Sequence, residues 1–199
     1  MITRWNTIFL LEYIKHPRKV GAFAPSSKYL AHQMIATIDF ETAKCIVEYG
    51  PGTGVFTEKI LARTKETTII VLIEINKEFY NILKEQYAHK QNVIIVNDSA
   101  ENIQEILIKH FITHVDYILS GLPFVSLPQR ISDTILSKTS EIIGTSGQFI
   151  TFQYTLFKEP YIHSFFPDLH HKKVVRNLPP AYVLRCRGGN YESKNISSR

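Results

Sequence analysis

A chain of 199 residues, 44% hydrophobic and 21% charged, is long enough for one sizeable core and too apolar for a disordered segment. Its formal net charge of +5 suits an anionic partner, nucleic acid or an acidic membrane surface, and is too small to choose between them. No apolar run approaches the ~18 residues that span a bilayer, no signal-peptide pattern opens the chain, and neither Cys45 and Cys186 nor the histidines have metal-ligand spacing, so a cytoplasmic, metal-free protein with reduced core thiols is expected.

Ile2, Trp5, Phe9 and Tyr13 recur at helical spacing, with Arg4, Lys15, Arg18 and Lys19 around them. This predicts a basic amphipathic helix within an N-terminal extension, 1–40, that lids a site or lies in a membrane interface. Ser26 or Ser27 can cap a second helix running to about 37. Apolar, β-rich runs follow at 45–49, 68–74, 92–96, 115–120 and 148–154, with helical patterns between them at about 55–63, 77–89, 100–109 and 127–139. Continuous apolar strands alternating with amphipathic helices imply an α/β fold, a parallel sheet covered on both faces. Two last strands, 171–177 and 181–187, are joined too tightly for a parallel crossover and predict an antiparallel hairpin. The α/β domain is expected over 41–187 and a flexible tail over 188–199. Alternation puts most aromatic residues of 149–154 in the core. Tyr161, Phe165 and Phe166 lie beyond the strand and are pocket or membrane candidates.

The stretch EYGPGTG, residues 48–54, ends the first strand with Glu48, Gly50, Gly52 and Gly54. Glycines there allow unusual dihedrals and let a ligand approach the backbone. A dinucleotide fingerprint would need a third glycine at 55, which is Val55. Two acids add to the pattern. Glu74 ends the second strand, where a carboxylate can accept from ribose hydroxyls, and Asp98 follows the third, where one can meet an adenine amino group. Together they point to an adenosine ligand at successive strand ends.

With Ile73-Glu74-Ile75-Asn76, Asn97-Asp98-Ser99 and Ser120-Gly121-Leu122-Pro123-Phe124, the chain resembles the class I S-adenosylmethionine-dependent methyltransferases over about 45–187. The resemblance implies a Rossmann-like seven-stranded sheet with an antiparallel last strand. It implies S-adenosylmethionine as cofactor, held by Glu48, Gly50, Gly52, Gly54, Glu74, Ile75, Asp98, Ser99 and Ser120. In this pattern Glu48 supports the loop and the cofactor's ammonium side.

Adenine methyltransferases, including the ribosomal RNA adenine dimethylases, carry Asn or Asp where this chain has Gly121; Leu122, Pro123 and Phe124 remain. Phe9 to Tyr13, His16-Pro17-Arg18, the stretch 21–27, Ser120 to Pro123 and the stretch 177–182 are instead similar to the bacterial phospholipid N-methyltransferases. That resemblance implies methylation of the phosphatidylethanolamine headgroup by a cytoplasmic protein peripherally bound to a phospholipid surface containing anionic lipid. Substrate contacts are then expected from Tyr13, Ser26, Pro123, Phe124, Tyr182 and Arg185, and catalytic positioning from Ser120, Gly121 and Tyr182. RNA adenine methylation, a small soluble amine acceptor, and a membrane-binding protein with a vestigial pocket are the alternatives.

Overall fold

The computed structural model describes residues 24–189, with side chains from residue 28 onward. The predicted N-terminal helix with Tyr13, the side chain of Ser26 and the tail beyond 189 therefore lie outside the described residues.

Seven strands form one sheet: β1 (Cys45–Tyr49), β2 (Ile69–Ile73), β3 (Val93–Val96), β4 (Tyr117–Ser120), β5 (Gln148–Gln153), β6 (Asp168–Val174) and β7 (Ala181–Arg187). Their order is β3-β2-β1-β4-β5-β7-β6. The first five are parallel, and β7 runs antiparallel between β5 and β6. Strand order reverses between β1 and β4, the place where open α/β sheets bind ligands. The predicted class and the C-terminal hairpin are both present.

The helices are α1 (Ala24–Met34), α2 (Val55–Leu61), α3 (Lys77–Tyr87), α4 (Ile103–Lys109), α5 (Gln129–Ile143) and α6 (Glu159–His163). Strand alternation sends neighbouring side chains into different cores. Ile46, Ile70, Leu119, Ile150 and Val183 pack with Leu30 and Met34 of α1, Ile60 of α2 and Leu83 of α3. Val47, Val71, Ile118, Phe149 and Leu184 pack with Ile106 of α4, Leu136 of α5 and Ile162 of α6. Burial on both faces is why the parallel strands read as unbroken apolar runs. None of the described helices is long and apolar enough to cross a membrane.

Local chemistry moves some boundaries. Asp116, inside a predicted strand, instead accepts from Lys44 N at 2.7 Å and Cys45 N at 2.9 Å with Oδ2, tying β1 to the approach of β4. The predicted helix at 100–109 opens as a 3₁₀ turn over Ala100–Asn102, with Ser99 Oγ accepting from Glu101 N at 3.2 Å. β6 begins earlier than expected because Asp168 pairs with Arg187 and the ladder uses the full length of β7.

Two of the aromatic pocket candidates are structural. Phe166 is fully buried and stacks on Phe149 at 5.2 Å, and Tyr161 donates to Asp133 Oδ1 at 2.6 Å. Short α6 folds them back against α5.

Candidate active site

The site is built at the carboxyl edge of the parallel strands. Gly50, Gly52 and Gly54 have φ of 61°, 58° and 86°, left-handed values that a side chain would strain. Gly50 N donates to Ile73 O at 2.9 Å, so the loop starts by hanging on the neighbouring strand. Gly52 N donates to Glu74 Oε2 at 3.0 Å, and Asn76 N donates to Glu74 Oε1 at 2.8 Å. One carboxylate thus clamps the glycine loop to the β2–α3 connection, with further lone pairs left for a ligand. Burial raises the Glu74 pKa against the lowering effect of the backbone donors at Asn76 and Gly52.

Glu48 is completely buried on the face toward α2. Its Oε2 accepts from Thr57 Oγ1 at 2.7 Å, while Oε1 is buried without a hydrogen-bond partner among the described residues. Desolvation pushes its pKa up to about 7; the Thr57 hydroxyl opposes the shift and the nearby Glu74 charge adds to it. An unpaired buried carboxylate oxygen is costly unless a donor arrives.

Asp98 stands after β3, its Oδ1 accepting from Ser99 N at 2.7 Å and Asn102 Nδ2 at 2.8 Å. Asn97 Nδ2 donates to the carbonyls of Glu74 and Ile75 at 2.8 and 3.1 Å, holding the two strand-end loops together. Ile75 beside them is 67% exposed, an apolar surface at the mouth. The predicted adenosine residues are therefore neighbours on successive strands.

Three expectations are corrected, two at the end of β4 and one on β7. Ser120 is fully buried, and its Oγ accepts from Leu122 N at 3.1 Å, so the hydroxyl shapes the turn rather than facing a substrate or cofactor. Phe124 is 1% exposed and meets Phe149 edge to face at 6.1 Å. It is a core residue, not a stacking face for a substrate. Phe124→Ala is accordingly expected to lower unfolding stability by about 3–5 kcal/mol in a urea titration; a substrate-stacking residue would leave stability unchanged. Arg185 lies on the face of α1, opposite to Tyr182, in register with Ile150 in the body of the sheet. Its Nη2 reaches the Gln33 carbonyl at 3.5 Å, its Nε is buried without a partner among the described residues, and burial lowers its pKa. Strand alternation thus separates it from Tyr182, with which it was expected to act. Pro123 is half-buried, its carbonyl accepting from Ser126 and Leu127 N at 2.8 and 3.0 Å.

Gly121 has a packing reason. Its N donates to Tyr49 O at 2.9 Å, and a Cβ there would lie 2.8 Å from Gly50 O. The glycine loop and the end of β4 touch backbone to backbone. Tyr182, half-buried at the same edge, meets His171 edge to face at 5.9 Å and has Lys173 Nζ 5.8 Å from its ring centroid.

One residue escaped the sequence reading. Gln153 ends β5 in register with Tyr182, is 4% exposed, and its Nε2 is buried without a partner among the described residues. The signal was available: like Glu74, it is a polar residue closing an apolar strand.

Residues 25–158 match the family described as Ribosomal RNA adenine dimethylase. The chain belongs to that family. An ornithine lipid N-methyltransferase of Singulisphaera acidiphila is 30% identical over 91% of this chain and 95% of its own length. The Ribosomal RNA small subunit methyltransferase A of Fusobacterium nucleatum is 25% identical over 62% of this chain, which spans 45% of that protein. Among solved structures, the N-methyltransferase NodS of Bradyrhizobium japonicum, in complex with S-adenosylhomocysteine, superposes with a TM-score of 0.67 at 13% identity, over 92% of this chain and 98% of that one. The last likeness is one of fold.

This member of the dimethylase family is an S-adenosylmethionine-dependent N-methyltransferase. Its own residues fit the cofactor. Glu48 offers a buried oxygen without a donor, Glu74 a carboxylate beside the glycine loop, and Gly52 a left-handed backbone with no side chain. When bound, S-adenosylmethionine supplies a methyl group already activated by its sulfonium. The chain need only hold it and align an acceptor.

Proposed function

We propose that this methyltransferase acts on the primary amine of a membrane-lipid headgroup, of the kind found in phosphatidylethanolamine and ornithine lipid. The observation that carries the reading is the backbone contact at Gly121. An adenine-methylating site needs a side-chain acceptor at that position, and here a Cβ would lie 2.8 Å from Gly50 O. The buried ring of Phe124 likewise withdraws the aromatic face that a flipped base requires. The lipid-methylating relative supports the reading by aligning over 95% of its length, against 45% for the ribosomal RNA methyltransferase.

The chain's own contribution is placement. Glu74 and Asn97 fix the loops on either side of the adenosine positions. Tyr49 O and Ser120 Oγ fix the turn of 120–122, leaving a wall without a side chain at Gly121. Gln153 and Tyr182 bring an unpaired amide and an aromatic ring to the neighbouring strand ends. An aromatic face suits an amine that gains methyl groups and becomes a permanent cation, at roughly 0.5–2 kcal/mol per ring.

Expression in a bacterial host whose aminolipids are unmethylated tests this. Mass spectrometry of the lipid extract is expected to show N-methylated headgroups. An unchanged lipid profile alongside newly methylated adenine in ribosomal RNA would overturn the proposal.

A further inference from the structure

The hairpin of β6 and β7 carries a surface that the active site does not use. From Leu169 to Arg187 there is no acidic residue, and Lys172, Lys173 and Arg176 lie at the turn end of the hairpin, while Arg187 pairs with Asp168 at its far end. Lysines on an edge strand are ordinary protection against strand pairing. The turn between the strands is not explained that way. Asn177 is buried, accepts the turn's register by donating its N to Val174 O at 3.3 Å, and donates Nδ2 to Pro179 O at 2.7 Å. With Asn177 tucked inward, Val175 and Leu178 are turned outward, 68% and 71% exposed. Arg176 between them lies over the Tyr29 ring of α1 at 5.5 Å, fastening the turn to the body of the protein.

The position of this turn matters. Val174 pairs with Ala181, and Tyr182 pairs with Gln153 at the carboxyl end of β5. The turn therefore projects from the same edge of the sheet as the glycine loop. Phe157, 76% exposed, follows β5 at that edge. Val175, Leu178 and Phe157 at the catalytic edge, with Lys172, Lys173 and Arg176 beside the turn, are what an anionic bilayer surface accepts: apolar side chains enter the acyl boundary while lysine and arginine stay at the phosphates. Nucleic acid would use the cations and leave the apolar tips in water.

We propose that the β6–β7 turn, through Val175 and Leu178 with Lys172 and Arg176 beside them, docks the catalytic edge onto an anionic phospholipid surface. The proposal rests on the lipid-acceptor reading and deepens it: the same edge that takes the headgroup meets the membrane.

The test is sedimentation of the full chain with vesicles of phosphatidylglycerol and phosphatidylcholine, which contain no primary amine to methylate. Wild type is expected to bind, more weakly as salt rises. The double variant Val175→Ser, Leu178→Ser should lose about tenfold or more in partition, and Lys172→Gln, Arg176→Gln should lose a similar factor together with much of the salt dependence. Melting temperature and S-adenosylmethionine affinity, measured on each variant, establish that the fold is intact. Undiminished vesicle binding by both variants overturns the inference, as does wild type that ignores vesicles and binds structured RNA through the same cations. Hairpin-dependent vesicle binding without methyl transfer to any aminolipid would leave the docking surface standing and remove the lipid-acceptor reading instead.

Discussion

Glu48→Gln is expected to stabilise the cofactor-free protein at and above neutral pH while weakening its hold on S-adenosylmethionine. The folded-state pKa of Glu48 is raised to about 7 from an ordinary 4.5, chiefly by burial. Between those values the folded protein keeps a proton that the unfolded chain has released. Stability therefore falls as pH climbs through this window and levels off above about 7. The penalty amounts to something on the order of 3 kcal/mol. Glutamine mimics the protonated acid, retains an acceptor for Thr57 and carries no such dependence. The melting temperatures of wild type and variant should coincide near pH 4 and separate by roughly 5–10 °C at pH 8. Cofactor affinity moves the other way. An ammonium beside Oε1 favours the ionised carboxylate, so wild-type affinity should climb as pH approaches about 7, and the variant should bind about tenfold or more weakly with no such climb. A Glu48→Gln protein with wild-type affinity and a wild-type pH profile would remove Glu48 from the cofactor site.

Gly121→Asn restores the residue type that adenine methyltransferases use and is nevertheless expected to lose function. The new Cβ would sit 2.8 Å from Gly50 O, a backbone atom of the loop that Glu74 clamps through Gly52. Relief requires the glycine loop or the end of β4 to move. The expected result is a loss of about 1–3 kcal/mol in stability and a fall in cofactor affinity of about tenfold to a hundredfold. Gly121→Ala should show the same direction, which separates crowding from the chemistry of the amide. An asparagine variant that binds cofactor normally and begins to methylate RNA would show that the loop yields readily and that Gly121 alone had set the acceptor.

The parts of this molecule legible in its sequence are those governed by local patterning. Unbroken apolar runs such as Cys45–Tyr49 marked parallel strands because both faces are buried. Glu74 and Asp98 stood out because, together with the glycine loop, they stand at the ends of successive strands. The β6–β7 hairpin followed from the shortness of its connection. What escaped depends on contacts distant in sequence. The inward turn of Phe124 is set by Phe149 on another strand, and the backbone meeting of Gly121 with Gly50 joins positions far apart in the chain. α6 has five residues, too few for a helical period to show. The face of Arg185 was readable: counting alternate residues from Val183 places it on the face of α1, away from Tyr182. Gln153 was readable in the same way as Glu74, by its place at the end of β5.

The most direct measurement is transfer of labelled methyl from S-adenosylmethionine, run in parallel on vesicles containing phosphatidylethanolamine, on vesicles containing ornithine lipid, and on total RNA, with phosphatidylglycerol in both vesicle sets. Label in either aminolipid and none in RNA is the predicted result, and which lipid is labelled names the headgroup. Label in RNA with both lipids silent would contradict the account, and would mean that the backbone wall at Gly121 receives a base.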